Sequence, residues 1–288
     1  DPSQPKNATS PVANFSDFAL DPTILKAVAE QGYTQATPIQ AKAIPIVLEG
    51  RDVMGAAQTG TGKTAAFTLP IIQKLLPQAN TSTSPARHPI RALILTPTRE
   101  LSDQVAENAS LYAKFTNLRT AVVFGGVDIK PQTAILRSGV EILIATPGRL
   151  LDHITSKTAD LSQVQILVLD EADRMLDMGF LPDLQRIINL IPSQRQTLLF
   201  SATFSPEIKK LAQTYLRNPV TIEVARQNAA ADTVNQMVYL VPSENKRAAI
   251  ISILQNRIKS GLSQQCIIFT NSRMGCARLA NALERDGI

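Results

Sequence analysis

Two short stretches of the chain carry side chains that could act together on a nucleotide phosphate. The stretch "AQTGTGKT" (57–64) nearly matches the phosphate-binding pattern G-x-x-x-x-G-K-[ST], with alanine in place of its first glycine. Gly60 and Gly62 would let backbone N–H groups turn toward phosphate oxygens. Lys63 would reach the β- and γ-phosphates, and Thr64 would hold Mg²⁺. The spacing therefore predicts a site for a nucleoside triphosphate.

The stretch "ILVLDEADRML" (166–176) runs from apolar residues directly into an acidic cluster. In triphosphatases a carboxylate at the tip of a neighbouring strand positions the metal ion, and Asp170 fits that place. Glu171 could orient or deprotonate the attacking water. An acid pair after a strand is by itself usually a polar strand end or the first turn of a helix. The phosphate loop upstream is what favours the catalytic interpretation.

The same loop also spells G-x-G-x-x-A (60–65), which is a dinucleotide-binding fingerprint. That fingerprint requires an acid about 20 residues further on, to bind a ribose hydroxyl. No Asp or Glu occurs between Asp52 and Glu100. The nicotinamide interpretation therefore fails, and a triphosphate is favoured.

Short aliphatic and β-branched runs alternate with helical patterns along most of the chain. The strand-like runs are residues 52–56, 91–96, 120–126, 141–146, 165–170, 196–203 and 220–224. Such alternation predicts a doubly wound α/β domain with a mostly parallel sheet. Ligands of these sheets bind beyond the carboxyl ends of the strands, where both motifs lie.

The pattern of elements predicts two unequal domains. Residues 1–14 are expected to be a flexible segment, 15–224 the first domain, 225–235 a linker, and 236–288 a β-α-β-α start of a second domain. Fifty-three residues bury little surface and leave a sheet edge unpaired, so we expect this last part to be loosely ordered, swapped between chains or irregularly packed. Residues 78–89 are rich in Ser, Thr and Pro and are expected to form a surface loop.

Composition limits the classes of function. The chain has 288 residues, 44% apolar and 18% charged, with no apolar run of about 18 residues and no secretory signal, so we expect a cytoplasmic protein without a membrane span. Residues 236–288 hold 7 Lys or Arg and 3 Asp or Glu, so they carry most of the net charge of +5. This excess of positive charge is compatible with a polyanion partner and also with an ordinary solvated surface. Cys266 and Cys276 lack metal-site spacing and are expected to be reduced structural thiols.

With "DEAD" at 170–173 and the phosphate loop together, the chain resembles the DEAD-box family of ATP-dependent RNA helicases. The sequence of its first domain is most similar to the bacterial RhlE-like branch of that family. Further stretches match the family's motifs in order. They are "GYTQATPIQ" (32–40), "PTREL" (97–101), the Gly125–Gly126 pair, "TPGR" (146–149), "SAT" (201–203) and "IIFTNS" (267–272).

The resemblance implies a RecA-like first domain that binds ATP and Mg²⁺, followed by an incomplete second RecA-like domain. The implied nucleotide-binding residues are Phe15, Tyr33, Gln40, Gln58, Thr59, Gly60, Thr61, Gly62, Lys63 and Thr64. Catalysis is implied for Lys63, Asp170 and Glu171, and metal binding for Thr64 and Asp170. The Gln40 amide can pair with the adenine edge, with the Tyr33 ring stacking nearby, so ATP is expected over GTP.

The resemblance also implies an RNA site at the same edge of the sheet. Its residues are Pro97, Thr98, Arg99, Gly125, Gly126, Thr146, Pro147, Gly148 and Arg149. Hydroxyls, backbone N–H groups and guanidinium groups suit phosphate and sugar, so binding is expected to be independent of sequence. Each stretch alone is typical of a turn, and only the ordered set favours RNA. Asp173, Ser201 and Thr203 are implied to couple the nucleotide to the RNA.

The chain departs from the family in lacking the A-R-G-x-D and H-R-x-G-R-x-x-R motifs of a full second domain. The arginine finger of the latter is typically worth roughly 10³ to 10⁵ in rate. We therefore expect an N-terminal portion of a longer RNA helicase, with slow hydrolysis and with ribosomal or RNA-decay assemblies as partners. Two alternatives stay open: a DNA translocase of the same motor type, and an ATP-gated RNA-binding module without turnover.

Overall fold

The computed structural model of the protein describes residues 13–224, 237–261 and 265–288. The chain divides into two compact units, Asp1–Ala225 and Arg226–Ile288. The expected linker at 225–235 lies outside the described residues, as do residues 1–12. The described part of the first unit begins with a pairing, because Ala13 O accepts from Ala36 N at 2.8 Å.

The first unit is built on one seven-stranded sheet. Its strands are β1 (Val53–Ala56), β2 (Ala92–Leu95), β3 (Thr120–Val123), β4 (Ile142–Ala145), β5 (Ile166–Leu169), β6 (Gln196–Ser201) and β7 (Val220–Glu223). The spatial order is β3-β4-β2-β5-β6-β1-β7, and every neighbouring pair is parallel. All seven predicted strands and the doubly wound architecture are confirmed.

Nine helices cover the two faces of this sheet in the described part of the first unit. They are α1 (Pro22–Glu30), α2 (Pro38–Leu48), α3 (Lys63–Leu75), α4 (Arg99–Tyr112), α5 (Ile129–Ser138), α6 (Pro147–Thr155), α7 (Ala172–Asp177), α8 (Leu181–Ile188) and α9 (Pro206–Tyr215). Helices α1 to α4 contribute to one buried cluster and α5 to α9 to the other.

The strands are apolar on both faces because each face is covered by helices. Ile166 and Val168 of β5 belong to the cluster with α1 to α4, whereas Leu167 and Leu169 belong to the cluster with α5 to α9. Each such buried aliphatic side chain contributes about 1.5–3 kcal/mol. The register pairs Leu95 of β2 with Leu169 of β5, so neighbouring strands end level and the residues after them emerge at one edge.

The second unit holds two helices among its described residues, α10 (Lys246–Lys259) and α11 (Arg273–Arg285), which confirms both predicted helices. The two strands predicted there, around 237–242 and 264–272, are wrong, because no strand forms in the described residues of this unit. Leu240 is 96% exposed and Phe269 90% exposed. A strand requires a neighbouring edge for its backbone hydrogen bonds, and neither segment pairs with one among the residues that the structure describes.

Two smaller expectations also need correction. Cys266 and Cys276 are free and exposed, so they do not pack as structural thiols. The loop at 78–89 is not wholly at the surface, since His88 near its end is only 2% exposed. The His88 ring lies between the Ser82 carbonyl, 2.7 Å from Nε2, and the Glu141 carboxylate at Nδ1. In the described ranges, no helix has the length and apolar character needed to cross a membrane.

A buried polar network joins α5 and α6 below the loops that follow β3 and β4. Gln132 Nε2 donates to the Phe124 carbonyl at 3.0 Å, and Gln132 Oε1 accepts from Arg149 Nη1 at 3.2 Å. His153 Nε2 lies 3.3 Å from the same Gln132 oxygen, and its Nδ1 lies 2.8 Å from Thr158 Oγ1. The network fixes the two loops relative to each other.

The centre of the sheet should not accept a larger residue at Gly55. A methyl group there would lie 2.7 Å from Cδ1 of Phe200, a fully buried ring in contact with Phe67. We expect Gly55→Ala to lower the free energy of unfolding by about 1–3 kcal/mol, measured by urea denaturation. The control Gly148→Ala adds a methyl group that meets no atom within 4 Å among the described residues outside its own helix. It should change the free energy of unfolding by less than about 1 kcal/mol. Equal effects of the two substitutions would contradict this packing.

The stability of the first unit should depend on pH through His153. Burial, with a smaller contribution from Arg149, lowers the pKa of His153 below its ordinary value. The unfolded chain therefore binds this proton more readily, and the free energy of unfolding should fall below pH of about 6.5, by at most about 1.4 kcal/mol per pH unit. We expect His153→Gln to reduce that fall in denaturation experiments between pH of about 8 and about 5.5. Parallel pH profiles for the two proteins would refute this role of His153.

Candidate functional site

The phosphate loop connects the end of β1 to the start of α3. Its backbone turns through left-handed conformations at Gly60, with φ of 84°, and Gly62, with φ of 83°. Glycine is required at residue 62 for a second reason, because an added methyl would lie 2.5 Å from Gln40 Nε2. Gly62 caps α3, so the unpaired N–H groups and the positive dipole end of this helix face the loop.

The Lys63 ammonium joins the phosphate loop to the acids that follow β5. Lys63 Nζ lies 2.9 Å from Asp170 Oδ1 and 3.5 Å from Glu171 Oε1. The Lys63 side chain is 5% exposed and that of Asp170 fully buried. Complete burial raises the pKa of Asp170 above its ordinary value, and the nearby ammonium opposes that rise. The sequence placed these three residues in one site, and the structure brings them together.

Glu171 is held in a strained backbone conformation at the start of α7. Its φ is 50°, in the left-handed region, which costs a non-glycine residue on the order of 1–3 kcal/mol. The carboxylate accepts from Thr59 Oγ1 at 3.1 Å and lies 3.5 Å from Arg174 Nη1. Its backbone N–H donates to Asp170 Oδ1 at 3.0 Å. These contacts direct Glu171 toward the phosphate loop.

The oxygen donors beside this pair fit a hard divalent cation. Asp170 Oδ2 is buried and has no hydrogen-bond partner among the described residues. Thr64, whose side chain is partly exposed, is the second residue of α3 and follows Lys63 directly. Carboxylate and hydroxyl oxygens are the protein ligands that Mg²⁺ accepts, usually together with water and substrate phosphates. The residues named for metal binding therefore have the right chemistry.

The first turn of α2 contacts the phosphate loop through Gln40. Thr37 N donates to Gln40 Oε1 at 2.9 Å, and Gln40 Nε2 donates to the Gly62 carbonyl at 3.0 Å. Both polar atoms of the amide thus have partners within the chain. Thr37 was missed as part of the site, although Thr37 and Gln40 have the T-x-x-Q spacing of a capping box.

The two aromatic residues named for nucleotide binding have different surroundings. Tyr33 is 54% exposed and presents an open ring. Phe15 is only 4% exposed and packs edge-on against Phe18, with ring centroids 6.1 Å apart. The Phe15 ring is therefore buried and offers no open stacking face, and the Phe15 backbone N–H donates to the Thr34 carbonyl beside Tyr33 at 3.2 Å. A role for either residue in nucleotide binding stays a prediction.

The three residues named for coupling are linked by hydrogen bonds beyond β5 and β6. Thr203 Oγ1 donates to Asp173 Oδ2 at 3.4 Å, and Thr203 N donates to Ser201 Oγ at 3.4 Å. The Ser201 carbonyl in turn accepts from Ala57 N at 3.0 Å, at the start of the phosphate loop. The chain of contacts runs from the acidic cluster to the loop.

The residues named for RNA binding follow β2, β3 and β4 at the same edge of the sheet. Thr98 caps α4, and the exposed Arg99 lies over the Phe124 ring at 5.1 Å from its centroid. Gly125 and Gly126 are exposed, and a methyl group on either would meet nothing within 4 Å among the described residues. Arg99, Gly125 and Gly126 therefore form an accessible surface, whereas Thr98 is partly buried and Pro97 is buried and does not contribute to it.

The stretch 146–149 starts α6 and is less accessible than expected. Pro147 is buried, Thr146 partly buried and Gly148 exposed. The Arg149 side chain is 12% exposed and its Nη2 donates to the Val127 carbonyl at 3.1 Å. Its Nε is buried without a hydrogen-bond partner in the described part of the chain, with Asp152 Oδ2 3.6 Å away. Arg149 therefore braces the loop after β3. Its partner Gln132 was missed, since an isolated glutamine in a helix carries no distinctive signal.

Known proteins match this chain over most of its length. A family model described as DEAD/DEAH box helicase matches residues 37–211. The DEAD-box ATP-dependent RNA helicase RhpA of Helicobacter pylori is 42% identical over 260 residues, which cover 90% of this chain and 50% of RhpA. The ATP-dependent RNA helicase RhlB of Pseudomonas aeruginosa is 41% identical over 277 residues, 95% of this chain and 68% of RhlB. The chain thus spans about half the length of RhpA.

The fold is also found in a solved structure. The crystal structure of a DEAD box protein from the hyperthermophile Methanococcus jannaschii is similar with a TM-score of 0.68 and 36% identity, covering 96% of this chain and 71% of that one. The family model spans the phosphate loop, the acidic cluster and the stretch 201–203. The RecA-like first domain is therefore confirmed, and the chain belongs to the DEAD/DEAH box helicase family.

Proposed function

We propose that the chain binds ATP and single-stranded or duplex RNA as part of an RNA-dependent ATPase that remodels RNA. The observation that carries the proposal is the Lys63 ammonium, buried between Asp170 and Glu171 at the start of α3. A cation, open helix N–H groups and two carboxylates at one point suit a triphosphate and its hydrolysis better than they suit a structural role.

Binding of the triphosphate would use groups that the loop already directs to one place. The Lys63 ammonium can exchange a carboxylate for a phosphate oxygen, and the N–H groups from Gly60 to Thr64 can donate to the others. Thr64 and Asp170 would hold Mg²⁺, which when bound neutralises charge on the phosphate oxygens. The preference for ATP over GTP rests on Gln40 and Tyr33, and the Gln40 amide would use its remaining donor and acceptor capacity for adenine.

Glu171 is the residue we assign to water activation. The Glu171 side chain is 13% exposed, and its Oε1 lies within reach of both Thr59 Oγ1 and Lys63 Nζ. A positioned carboxylate of this kind can orient a water and accept its proton as the water attacks phosphorus. Asp170 is the poorer candidate for this role because it is buried and bonded to Lys63.

The RNA site would lie on the surface after β2, β3 and β4. Arg99 supplies an exposed charge, Thr98 and Thr146 supply hydroxyls, and the Gly125–Gly126 turn supplies accessible backbone N–H groups. Such groups bind phosphate and sugar, which predicts affinity without sequence preference. Asp173, Thr203 and Ser201 would transmit the state of the nucleotide site to the rest of the protein.

The names of the relatives support the RNA helicase part of the proposal, and its remaining parts rest on the resemblance of the sequence motifs. RhpA and RhlB are named as ATP-dependent RNA helicases. We assign residues 236–288 to a partial second RecA-like domain, the chain to the bacterial RhlE-like branch, and its action to the cytoplasm with ribosomal or RNA-decay assemblies.

Removal of the Lys63 charge should weaken nucleotide binding selectively. We expect Lys63→Met to raise the Kd of a fluorescent ATP analogue with Mg²⁺ by about 10- to 100-fold, the value of a charge-assisted contact. The control Lys209→Met removes an exposed lysine of α9 and should leave the Kd unchanged. Circular dichroism checks that both variants fold. An unchanged Kd for folded Lys63→Met would contradict the ATP site.

Phosphate release from ATP by this chain, measured with single-stranded RNA, with single-stranded DNA and without nucleic acid, distinguishes an RNA-dependent ATPase from the two alternatives. RNA-stimulated release that disappears in Glu171→Gln is expected for the proposed ATPase. Stimulation by DNA alone would favour the translocase. Nucleotide binding without any release, in each of the conditions, would favour an ATP-gated RNA-binding module.

Removal of the Arg99 charge should weaken RNA binding without changing sequence preference. We expect Arg99→Gln to raise the Kd of two unrelated single-stranded RNAs equally, by about 3- to 10-fold, and to reduce the salt slope by about 0.7, measured by fluorescence anisotropy. The control Arg137→Gln removes the same charge from the last turn of α5. Equal losses in the two variants would mean that only net charge matters and would overturn the proposed surface.

A further inference from the structure

A second concave site lies at the opposite edge of the sheet, beside the amino ends of β5 and β6. It is a pocket of about 400 Å³. Its polar lining consists of Lys74, Gln165, Gln194, Arg195, Gln196 and Arg217, which we call the cationic pocket. Strand β5 has four residues and is about 13 Å long, and this length separates the pocket at its amino end from Asp170 at its carboxyl end. None of its residues belongs to the nucleotide or RNA site.

Lys74 carries a charge that the chain does not neutralise. Its Nζ donates to Gln196 Oε1 at 2.6 Å, and no carboxylate lies within ion-pair distance among the described residues. The side chain is partly buried, and burial lowers the pKa of Lys74 below its ordinary value. A partly buried ammonium with only a neutral partner is a costly arrangement that an anion would relieve.

The two arginines of the pocket are likewise without acidic partners. Arg195 donates to Thr197 Oγ1 at 2.9 Å, and to the Pro192 and Tyr215 carbonyls at 3.2 Å each, all of which are neutral. The Arg217 side chain is exposed, and its guanidinium makes no hydrogen bond or ion pair within the described ranges. The pocket therefore presents three positive side chains.

The buried acid Asp52, whose charge acts on Arg195, offsets only part of this positive charge. Asp52 is 6% exposed, and its two oxygens accept backbone N–H groups, from Thr197 at 2.9 Å and from Arg217 at 2.7 Å. It positions the strand ends around the pocket without forming an ion pair to any of the three cations. The balance of charge at the pocket stays positive.

Gly50 lines the pocket beside the Lys74 ammonium. Its φ is 85°, which favours glycine, and a methyl group there would lie 3.5 Å from Lys74 Nζ. A side chain at this residue would cover the ammonium. The Gln196 Nε2 donates to the Val47 and Arg51 carbonyls, which leaves its Oε1 fixed against Lys74. The ammonium is thus presented in one orientation.

We propose that the cationic pocket binds a small, multiply charged phosphate anion, such as a pyrophosphate group, with Lys74, Arg195 and Arg217 as its ligands. Guanidinium and ammonium groups bind phosphate oxygens through charge-assisted hydrogen bonds, and two arginines allow more than one oxygen to be held. The volume suits a small anion better than an extended strand. The proposal does not depend on the proposed function.

The pocket is tied to the phosphate loop by one helix. Lys63 and Lys74 lie near opposite ends of α3, about 16 Å apart along its axis. An anion bound at Lys74 would contact the same helix whose first turn follows the phosphate loop.

The test is a titration of the 288-residue chain with inorganic pyrophosphate, without divalent cations and at low salt, followed by residue-resolved NMR. The amides of Gly50, Gln165 and Arg217 report on the cationic pocket. Those of Gly60 and Gly62 report on the phosphate loop, which also suits pyrophosphate. We expect saturable shifts at the pocket amides. Arg217→Gln and Lys74→Gln should each raise the Kd read there by about tenfold, and Arg186→Gln on α8 should leave it unchanged.

Each other outcome overturns the proposal. Shifts confined to Gly60 and Gly62 would assign pyrophosphate to the phosphate loop alone. Equal weakening by Arg186→Gln would reduce the effect to net charge. Pocket shifts that appear with a short single-stranded RNA but not with pyrophosphate would make the pocket a nucleic-acid contact instead of a site for a small anion. Lys74→Gln keeps a side-chain N–H donor at this residue while the charge is removed, and circular dichroism checks that the variant folds.

Discussion

The buried contact between Lys63 and Asp170 is the interaction on which the site depends. It joins the start of α3 to the end of β5 at 2.9 Å, across the intervening strand β6. Neither charge is stable alone at this depth, because transfer of an isolated charge from water to the interior is costly. Each charged side chain therefore requires an opposite charge beside it, which is either the other residue or a ligand that replaces that residue. A triphosphate is such a ligand for Lys63, and a divalent cation is such a ligand for Asp170.

The order of the strands divides the functional edge into two halves. The phosphate loop follows β1 and the acidic cluster follows β5, and the coupling residues Ser201 and Thr203 lie at the end of β6 between them. The residues named for RNA follow the adjacent strands β3, β4 and β2. Along the chain, the RNA stretches at residues 97–149 lie between the phosphate loop and the acidic cluster. The sheet therefore separates what the sequence interleaves, and β2 and β5 form the boundary at which the two surfaces meet. Level strand ends make the boundary continuous, as the pairing of Leu95 with Leu169 shows.

Much of the fold could be predicted because its signals are local. Seven aliphatic runs each became a strand, and the glycines of the phosphate loop adopt the left-handed backbone that their spacing suggested. Contacts between distant segments could not be predicted in this way. The pairing of Gln132 with Arg149 and the burial of His88 against Glu141 join residues far apart in sequence. The strands expected near 237–242 and 264–272 failed for the same reason, since a strand pattern forms no sheet without a neighbouring edge.

The most direct measurement is the structure of the 288-residue chain bound to Mg²⁺ and a non-hydrolysable ATP analogue. We expect Lys63 Nζ to leave Asp170 Oδ1 and to donate to a phosphate oxygen, with Asp170 and Thr64 on the metal side of the phosphates. Glu171 should keep its left-handed backbone. A nucleotide whose phosphates lie away from residues 57–64, or a bound nucleotide beside an intact contact between Lys63 and Asp170, would contradict the central role given to this ammonium.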